Sequence, residues 1–224
     1  MREIEIKLII YEMKEKNWLL LILKILFFPI VRFIWVGKVN GLDNIPLEGN
    51  AIIASNHESY FDFLCFLGIS KRWVYYLTKK EHFENITWGP FMKYTGQIEV
   101  DRESSDKAAV YEQAFQVLRE GKLLGIFPEG TRSPNGKLQK AHTGVVKIAL
   151  LAKAPVIPVG MIGTFRILSK FQYLPRFRKC QIRIGKPIPL DKYYGQEITD
   201  SLLRGITDSI MRTIGELTKE KYPC

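Results

Sequence analysis

The 224-residue sequence has few of the residues that build disulfide frameworks or metal centres. It contains three cysteines, widely spaced and without a CxxC pair, and three histidines, none of them at the spacing of a zinc site. We therefore predict no disulfide framework and no bound metal, and a reducing, cytosol-facing setting. The sequence also lacks a GxSxG elbow, which argues against a Ser-His-Asp hydrolase.

Acidic residues are scarce in one part of the chain. The whole sequence has 33 Lys and Arg against 23 Asp and Glu, a formal net charge of +10. Residues 121–190 hold 13 of the basic residues and a single acid, Glu129, so this segment carries +12 and the remaining 154 residues carry −2. The surplus suggests an anionic partner, which could be nucleic acid, an anionic membrane or a phosphorylated substrate. A solvated surface is the alternative interpretation.

A long uninterrupted hydrophobic run is also missing. Residues 18–36 are almost wholly apolar, but Lys24, Pro29 and Arg32 interrupt them, and charges near the middle of a membrane span are costly. The broad apolar face that remains favours a helix lying in one leaflet, with a single span or a buried core helix as alternatives. No small-residue cleavage site follows, so we do not expect a signal peptide. Residues 2–16 suit an amphipathic helix.

Beyond residue 50, short apolar runs alternate with helical stretches. The runs typical of strands are 51–55, 73–77, 97–100, 123–127, 155–162 and 180–184, and the helical candidates are 105–120, 143–153 and 197–219. This alternation predicts an α/β fold with a mixed, largely parallel central sheet flanked by helices. We assign residues 1–38 to membrane-associated helices and residues 39–224 to the α/β domain.

The first group of reactive side chains follows the strand at 51–55. His57 lies in the predicted loop, and Asp62 lies in the first turns of the helix that Ser59 could cap. A carboxylate that accepts the imidazole N–H fixes the tautomer and strengthens the other ring nitrogen as a base. By themselves, a His and an Asp five residues apart are equally consistent with a helix cap and a surface ion pair.

The second group is the segment FPEGTRS at 127–133, again at the end of an apolar strand. Gly130 permits close backbone approach, Thr131 offers a hydroxyl, and the planar guanidinium of Arg132 suits phosphate. Glu129 could bind substrate hydroxyls or organise the phosphate site. It could equally hold Arg132 or another basic side chain in place.

These blocks together resemble the bacterial 1-acylglycerol-3-phosphate acyltransferases, within the wider glycerolipid acyltransferase family. The resemblance covers roughly residues 39–190. Four ordered blocks carry it: NHxSxxD at 56–62, GxIxVxR at 96–102, FPEGTRS at 127–133 and VIPV at 156–159.

The resemblance implies that His57 is the general base and Asp62 its orienting partner. It further implies a group of residues that bind the phosphate and glycerol of the acceptor, namely Arg102, Glu129, Gly130, Thr131 and Arg132. The expected reaction moves a fatty acyl group from an acyl thioester to the sn-2 hydroxyl of 1-acylglycerol 3-phosphate (lysophosphatidic acid), giving phosphatidic acid. The donor would be acyl-CoA or acyl carrier protein acting as a co-substrate, and no cofactor is expected.

Basic and aromatic residues alternate between 165 and 186, a composition suited to an anionic membrane surface. We therefore expect attachment to the cytoplasmic membrane, monotopic or with a single span, with the active site facing the cytosol. Nucleic acid is not expected as a partner, because no binding motif is present. Two alternatives stay open: an acyltransferase for another lysophospholipid or lyso-aminolipid, and a non-catalytic module that binds anionic lipid.

Overall fold

The protein is built around one twisted seven-stranded sheet. The computed structural model describes Leu20 and residues 22–86, 88–101 and 108–223. The strands are β1 Val36–Asn40, β2 Ala51–Ser55, β3 Val74–Lys79, β4 Ile98–Val100, β5 Leu123–Ile126, β6 Val156–Ile162 and β7 Cys180–Ile184. Their spatial order is β1-β7-β6-β2-β5-β3-β4.

The sheet is largely parallel. Strands β2 to β6 run in one direction, and β7 pairs antiparallel with β6 and parallel with β1. The predicted fold class is therefore confirmed, and all six predicted strands are present with ends within two residues of expectation. Strand β1 was not predicted, because this edge strand has only one buried residue, Val36, and no apolar run of its own.

Helices cover both faces of the sheet. They are α1 Phe28–Trp35, α2 Phe61–Ile69, α3 Lys80–Glu84, α4 Trp88–Tyr94, α5 Ala108–Arg119, α6 Gly144–Ala152 and α7 Asp200–Thr218. Helices α1 to α4 contribute to one buried apolar cluster and α5 to α7 to another. Successive β2 residues point to opposite faces, so Ile53 joins the first cluster while Ile52 and Ala54 join the second. The predicted helices at 105–120, 143–153 and 197–219 correspond to α5, α6 and α7.

The apolar run near the N-terminus packs against the α/β domain through one side only. Phe28 and Val31 of α1 are buried in the core, and α1 crosses α2 at Gly68, where a Cβ would lie 3.3 Å from the Phe28 carbonyl oxygen. The opposite side of α1 is exposed. Within the described residues, no helix has both the length and the hydropathy that a membrane span needs. The amphipathic helix expected at 2–16 lies outside the described residues.

Lys24 has a local role that the sequence did not reveal. Its ammonium group donates hydrogen bonds to the carbonyl oxygens of Leu67, Ser70 and Arg72 at 3.1, 2.7 and 3.4 Å. The Leu67 and Ser70 carbonyls lie at the C-terminal end of α2, where a positive charge is favourable, and the Arg72 carbonyl lies in the loop just beyond it. Lys24 thus attaches the segment before α1 to the helix whose opposite end carries Asp62.

Candidate active site

The two reactive groups meet at the carboxyl end of the sheet. His57 follows β2 and Glu129 follows β5, and these strands are paired and parallel, so both loops leave the sheet at the same edge. The His57 backbone N–H donates to Glu129 Oε1 at 3.0 Å, and the Ser133 N–H donates to the His57 carbonyl oxygen at 2.7 Å. The sheet therefore brings together motifs that lie about 70 residues apart in sequence.

His57 and Asp62 form the expected pair. His57 Nδ1 lies 2.8 Å from Asp62 Oδ2, and the Asp62 side chain is completely buried in the first turn of α2. The same oxygen accepts the backbone N–H groups of Glu58 and Ser59, each at 2.8 Å. These three donors stabilise a carboxylate, so Nδ1 carries the imidazole proton and Nε2 is left with its lone pair.

A column of aromatic rings supports the imidazole from one side. The Phe127 ring stacks on the His57 ring at a centroid distance of 3.9 Å, and the Tyr76 ring stacks on Phe127 at 5.4 Å. Tyr76 reaches this position only because residue 125 is glycine: a Cβ there would lie 2.4 Å from the Tyr76 ring. This column could not be predicted from the sequence, because it depends on packing between β3 and β5.

Arg132 presents a guanidinium group whose donors are not all used. Its central carbon lies 3.5 Å from the centroid of the Tyr60 ring, within cation–π distance. Atom Nη1 is buried and has no hydrogen-bond partner among the described residues. Partial burial lowers the pKa of Arg132, yet a guanidinium keeps its proton, so the site contains a half-buried positive charge with one buried N–H that needs an acceptor. A phosphate oxygen would meet that need.

His57 and Arg132 line the same cavity, which has a volume of about 370 Å³. Gly130 and Thr131 line it beside Arg132, as the resemblance implies. Apolar side chains form much of the rest of its wall: Phe63, Tyr76, Met92, Val100, Ile126 and Phe127. The cavity therefore combines a base, a cation and an apolar interior, which suits an amphiphile with an anionic headgroup.

Glu129 turns away from this cavity. Oε1 accepts the His57 N–H, while Oε2 accepts the backbone N–H and the side-chain amide of Gln139 at 3.1 and 3.0 Å. The carboxyl group therefore connects the His57 loop with the loop before α6. Burial raises its pKa to about 7, although the hydrogen bonds from His57 and Gln139 oppose that shift.

Several positioning contacts were not predicted, because their partners come from β6 and from the segment that follows it. Asn56 exchanges two hydrogen bonds with the Met161 backbone, and the Ser59 hydroxyl donates to the Leu168 carbonyl oxygen at 2.6 Å. The Thr164 hydroxyl donates to Asp62 Oδ1. The polar side chains of Asn56 and Ser59 in the first block indicated that hydrogen bonds form there. The nearby sequence did not indicate which residues would be their partners.

The remaining expectations about the site concern a phosphate-binding arginine and a metal. Arg102 lies outside the described residues, so its expected contact with the acceptor phosphate stays a prediction. In the part of the chain that the structure covers, His, Cys, Asp and Glu side chains form no group of three that could hold a metal ion.

Comparison with known proteins places these features in a family. Residues 37–162, which include β2 to β6, most of β1 and the whole His57–Asp62 and FPEGTRS region, match the model of the family described as Acyltransferase. A 1-acyl-sn-glycerol-3-phosphate acyltransferase of Bacillus subtilis is 32% identical over 152 residues, covering 67% of this chain and 73% of that protein.

A protein of the same name from Borreliella burgdorferi is 35% identical over 137 residues. That match covers 59% of this chain and 53% of the relative, so the chain spans about half of that protein's length. Among solved structures, a 1-acyl-sn-glycerophosphate acyltransferase from Thermotoga maritima superposes with a TM-score of 0.69 at 24% identity, covering 88% of this chain and 79% of that one. The two proteins share their fold.

The raised pKa of Glu129 leads to a pH-dependent stability. The folded-state pKa, about 7, exceeds the ordinary value of 4.5, so the folded protein favours the protonated carboxyl group. Its contribution to the free energy of unfolding is therefore present in full below about pH 4.5 and is lost as the pH rises through about 7. Glutamine cannot ionise. We therefore expect the free energy of unfolding of Glu129→Gln, relative to wild type, to rise by about 2–3 kcal/mol between about pH 5 and about pH 8.

Urea unfolding followed by tryptophan fluorescence at several pH values would measure this change. Glu48→Gln, at an exposed position before β2, provides the matched control and should show a constant difference from wild type. If the free energy of unfolding of Glu129→Gln also differed from that of wild type by the same amount at every pH, the prediction would be contradicted.

Proposed function

Because this chain belongs to the acyltransferase family, we propose that it transfers a fatty acyl group from an acyl thioester to the sn-2 hydroxyl of 1-acylglycerol 3-phosphate. The products are phosphatidic acid and a free thiol. The observation that carries the proposal is one cavity lined both by His57, which Asp62 orients, and by Arg132, whose buried Nη1 has no hydrogen-bond partner among the residues that the structure describes. The names of the relatives supply the acceptor.

His57 acts as general base in the proposed mechanism. Its Nε2 takes the proton from the acceptor hydroxyl while that oxygen attacks the thioester carbonyl carbon. The tetrahedral intermediate then collapses by breaking the carbon–sulfur bond, and the leaving sulfur takes the proton back from the imidazolium. Asp62 stabilises that imidazolium through Nδ1. Because the acceptor hydroxyl itself attacks the thioester, the reaction needs no covalent acyl-enzyme.

Arg132 is the proposed anchor for the acceptor phosphate. A phosphate oxygen that accepts from Nη1 would satisfy a donor that is otherwise desolvated, and Thr131 lines the cavity beside it. Gly130 has a φ of +69°, which favours glycine and leaves the backbone of this loop open to the ligand. Arg102 is proposed to contribute from the neighbouring GxIxVxR block. Glu129 lies outside the cavity wall and stabilises the site by accepting the His57 backbone N–H.

The proposed donor is acyl-CoA or acyl carrier protein, either of which supplies the thioester without a further cofactor. The net charge of +12 in residues 121–190 supports the binding of both candidates, since both are anionic.

An exposed apolar surface supports attachment to a membrane. We define this apolar surface as the outer side of α1 together with residues 171–177. Phe33, Tyr173 and Phe177 are 80%, 97% and 82% exposed. The two segments are joined, because the Trp35 ring stacks on Phe177 at 6.2 Å and the Trp35 Nε1–H donates to the Arg176 carbonyl oxygen at 3.1 Å.

Basic side chains border the apolar surface. The Lys179 ammonium lies 5.7 Å from the centroid of the Phe33 ring, and Arg176 and Arg178 are exposed nearby in sequence. Apolar rings that insert among acyl chains, with cations at headgroup level, are typical of a surface held in one leaflet. We infer that the protein docks on the cytosolic side of the cytoplasmic membrane through this surface, where it meets the lipid acceptor.

Removal of the imidazole tests the catalytic role. We expect His57→Ala to lower kcat by at least about a hundredfold, because general-base catalysis contributes about 10²–10⁴-fold. The assay offers 1-oleoylglycerol 3-phosphate with oleoyl-CoA or with oleoyl acyl carrier protein and measures phosphatidic acid, which also identifies the donor. His142→Ala, an exposed histidine, is the control. Near-normal turnover by a folded His57→Ala protein would refute the mechanism.

Removal of the guanidinium tests the acceptor site. We expect Arg132→Ala to raise the KM for 1-oleoylglycerol 3-phosphate by about 10- to 100-fold, since a hydrogen bond to a charged group contributes about 1.5–3 kcal/mol. The rate with 1-oleoylglycerol, which has no phosphate, should stay unchanged. Arg119→Ala, on the surface of α5, is the matched control. Equal loss with both acceptors would exclude Arg132 as the phosphate ligand.

Polar substitution of the apolar surface tests the membrane contact. We expect Phe33→Ser combined with Phe177→Ser to weaken binding to vesicles of mixed phosphatidylglycerol and phosphatidylcholine by at least about tenfold, because a fully buried Phe contributes about 1.5–3 kcal/mol. Sedimentation of the vesicles would measure binding. Leu47→Ser, an exposed apolar residue in the loop before β2, should bind as wild type does. Unchanged binding of the double variant would show that this surface does not dock.

A further inference from the structure

Glu58 is a buried acid to which the proposed mechanism gives no role. It follows His57 directly and occupies a variable position of the first block, so its identity is a property of this chain. Its side chain turns toward the segment after β6. Oε2 accepts the backbone N–H groups of Gly163 and Phe165 at 3.2 and 3.0 Å, and Oε1 accepts from the Asn56 amide at 3.3 Å.

These bonds hold the short turn that carries Thr164. Gly163 has a φ of +86° and starts a 3₁₀ turn at residues 164–166, so the two N–H groups on either side of Thr164 converge on one carboxyl oxygen. Thr164 is fully buried. Without an acceptor at Glu58 the turn would contain two partly buried N–H groups that lose this acceptor, which would favour another backbone arrangement.

The Thr164 hydroxyl lies between two carboxyl groups. Its oxygen is 3.2 Å from Glu58 Oε2 and is also hydrogen-bonded to Asp62 Oδ1. A hydroxyl has one proton and can fully donate it to one of these acceptors. Asp62 uses its other oxygen to accept from His57 Nδ1. The contact with Thr164 therefore determines whether the Asp62 carboxylate is held at both oxygens.

The charges around Glu58 favour donation to Asp62. Burial raises the pKa of Glu58 to about 8, and the neighbouring Asp62 and, more weakly, Glu220 beyond α7 add to the shift, while hydrogen bonds from Phe165 and Thr164 oppose it. Asp62 is the ionisable side chain of α2 that lies close to Glu58. Asp62 is also hydrogen-bonded to His57. At neutral pH Glu58 is therefore mostly uncharged, and the anionic Asp62 is the stronger acceptor for the Thr164 proton.

We propose that Glu58 is a positioning residue for the acyl transfer: it fixes the turn at 163–165 so that Thr164 donates to Asp62, and Asp62 in turn holds the His57 ring. This inference rests on the proposed function of His57. With both oxygens occupied, the Asp62 carboxylate cannot rotate, and the imidazole keeps the direction in which Nε2 meets the acceptor hydroxyl. Small errors in such alignment reduce rates strongly.

The first experiment compares Glu58→Ala with Glu58→Gln by steady-state kinetics in the full chain. The Gln side chain keeps an oxygen that can accept from Gly163 and Phe165, whereas Ala does not. We expect Glu58→Ala to lower kcat by about 10- to 100-fold with the KM of both substrates unchanged. Glu58→Gln should retain most of the wild-type kcat at about pH 7. Glu48→Ala, an exposed glutamate, is the control.

The pH dependence separates positioning from simple folding. As the pH rises through about 8, Glu58 ionises and competes with Asp62 for the single Thr164 proton, so we expect the kcat of wild type to fall in this range. Glu58→Gln cannot ionise and should lack this fall. Identical pH profiles for the two proteins would overturn the proposal.

A second pair of variants guards against misfolding of Glu58→Ala. Thr164→Ser keeps the hydroxyl and should retain most of the wild-type kcat. Thr164→Val keeps the shape without the donor, and its kcat should be at least about tenfold lower. Equal activity of the Ser and Val proteins, or full kcat in a folded Glu58→Ala, would overturn the inference. If His57→Ala is inactive while these variants are fully active, the inference alone fails. If wild type makes no phosphatidic acid, the proposed function fails.

Discussion

The Asp62 carboxylate is completely buried and accepts hydrogen bonds from four donors on two segments of the chain. Burial of a charge without such donors would cost several kcal/mol or more, so the surroundings of Asp62 have to be built around it. The loop after β2 supplies the His57 ring and two backbone N–H groups. The turn after β6 supplies the Thr164 hydroxyl, and the first turn of α2 places the carboxylate where the helix dipole favours negative charge.

The parallel sheet makes this arrangement possible. Strands β5, β2 and β6 are adjacent, and their carboxyl ends release three loops at one edge. Each loop then carries one buried acid or its partner: Glu129 after β5, Glu58 after β2 and Thr164 after β6. The pKa values of Glu58 and Glu129 are raised mainly because both are desolvated. Glu129 accepts the His57 N–H, and Glu58 accepts the N–H groups of Gly163 and Phe165, so both acids hold the backbone around the site.

The charged residues in the segment around α1 also need polar partners, because a buried or half-buried charge without them is costly. Lys24 and Arg32 interrupt the apolar run, and in a bilayer both would be costly. Lys24 instead caps α2 through three carbonyl oxygens, so the charge that argued against a simple membrane span serves to attach the segment to the domain. The apolar side chains on the outer side of α1 then stay available beside residues 171–177.

Periodicity and local spacing determined the parts of this protein whose contacts are close in sequence. Short apolar runs predicted six strands and, with the helical stretches between them, the α/β class, and the five-residue spacing of His57 and Asp62 led to the prediction of their pairing across a helix start. Tertiary structure alone decided contacts between distant segments, because no sequence period encodes which loops meet at a sheet edge. It turned Glu129 toward Gln139, placed the Arg132 guanidinium over Tyr60 with Nη1 lacking a hydrogen-bond partner among the described residues, and brought Glu58 to Thr164, 106 positions away.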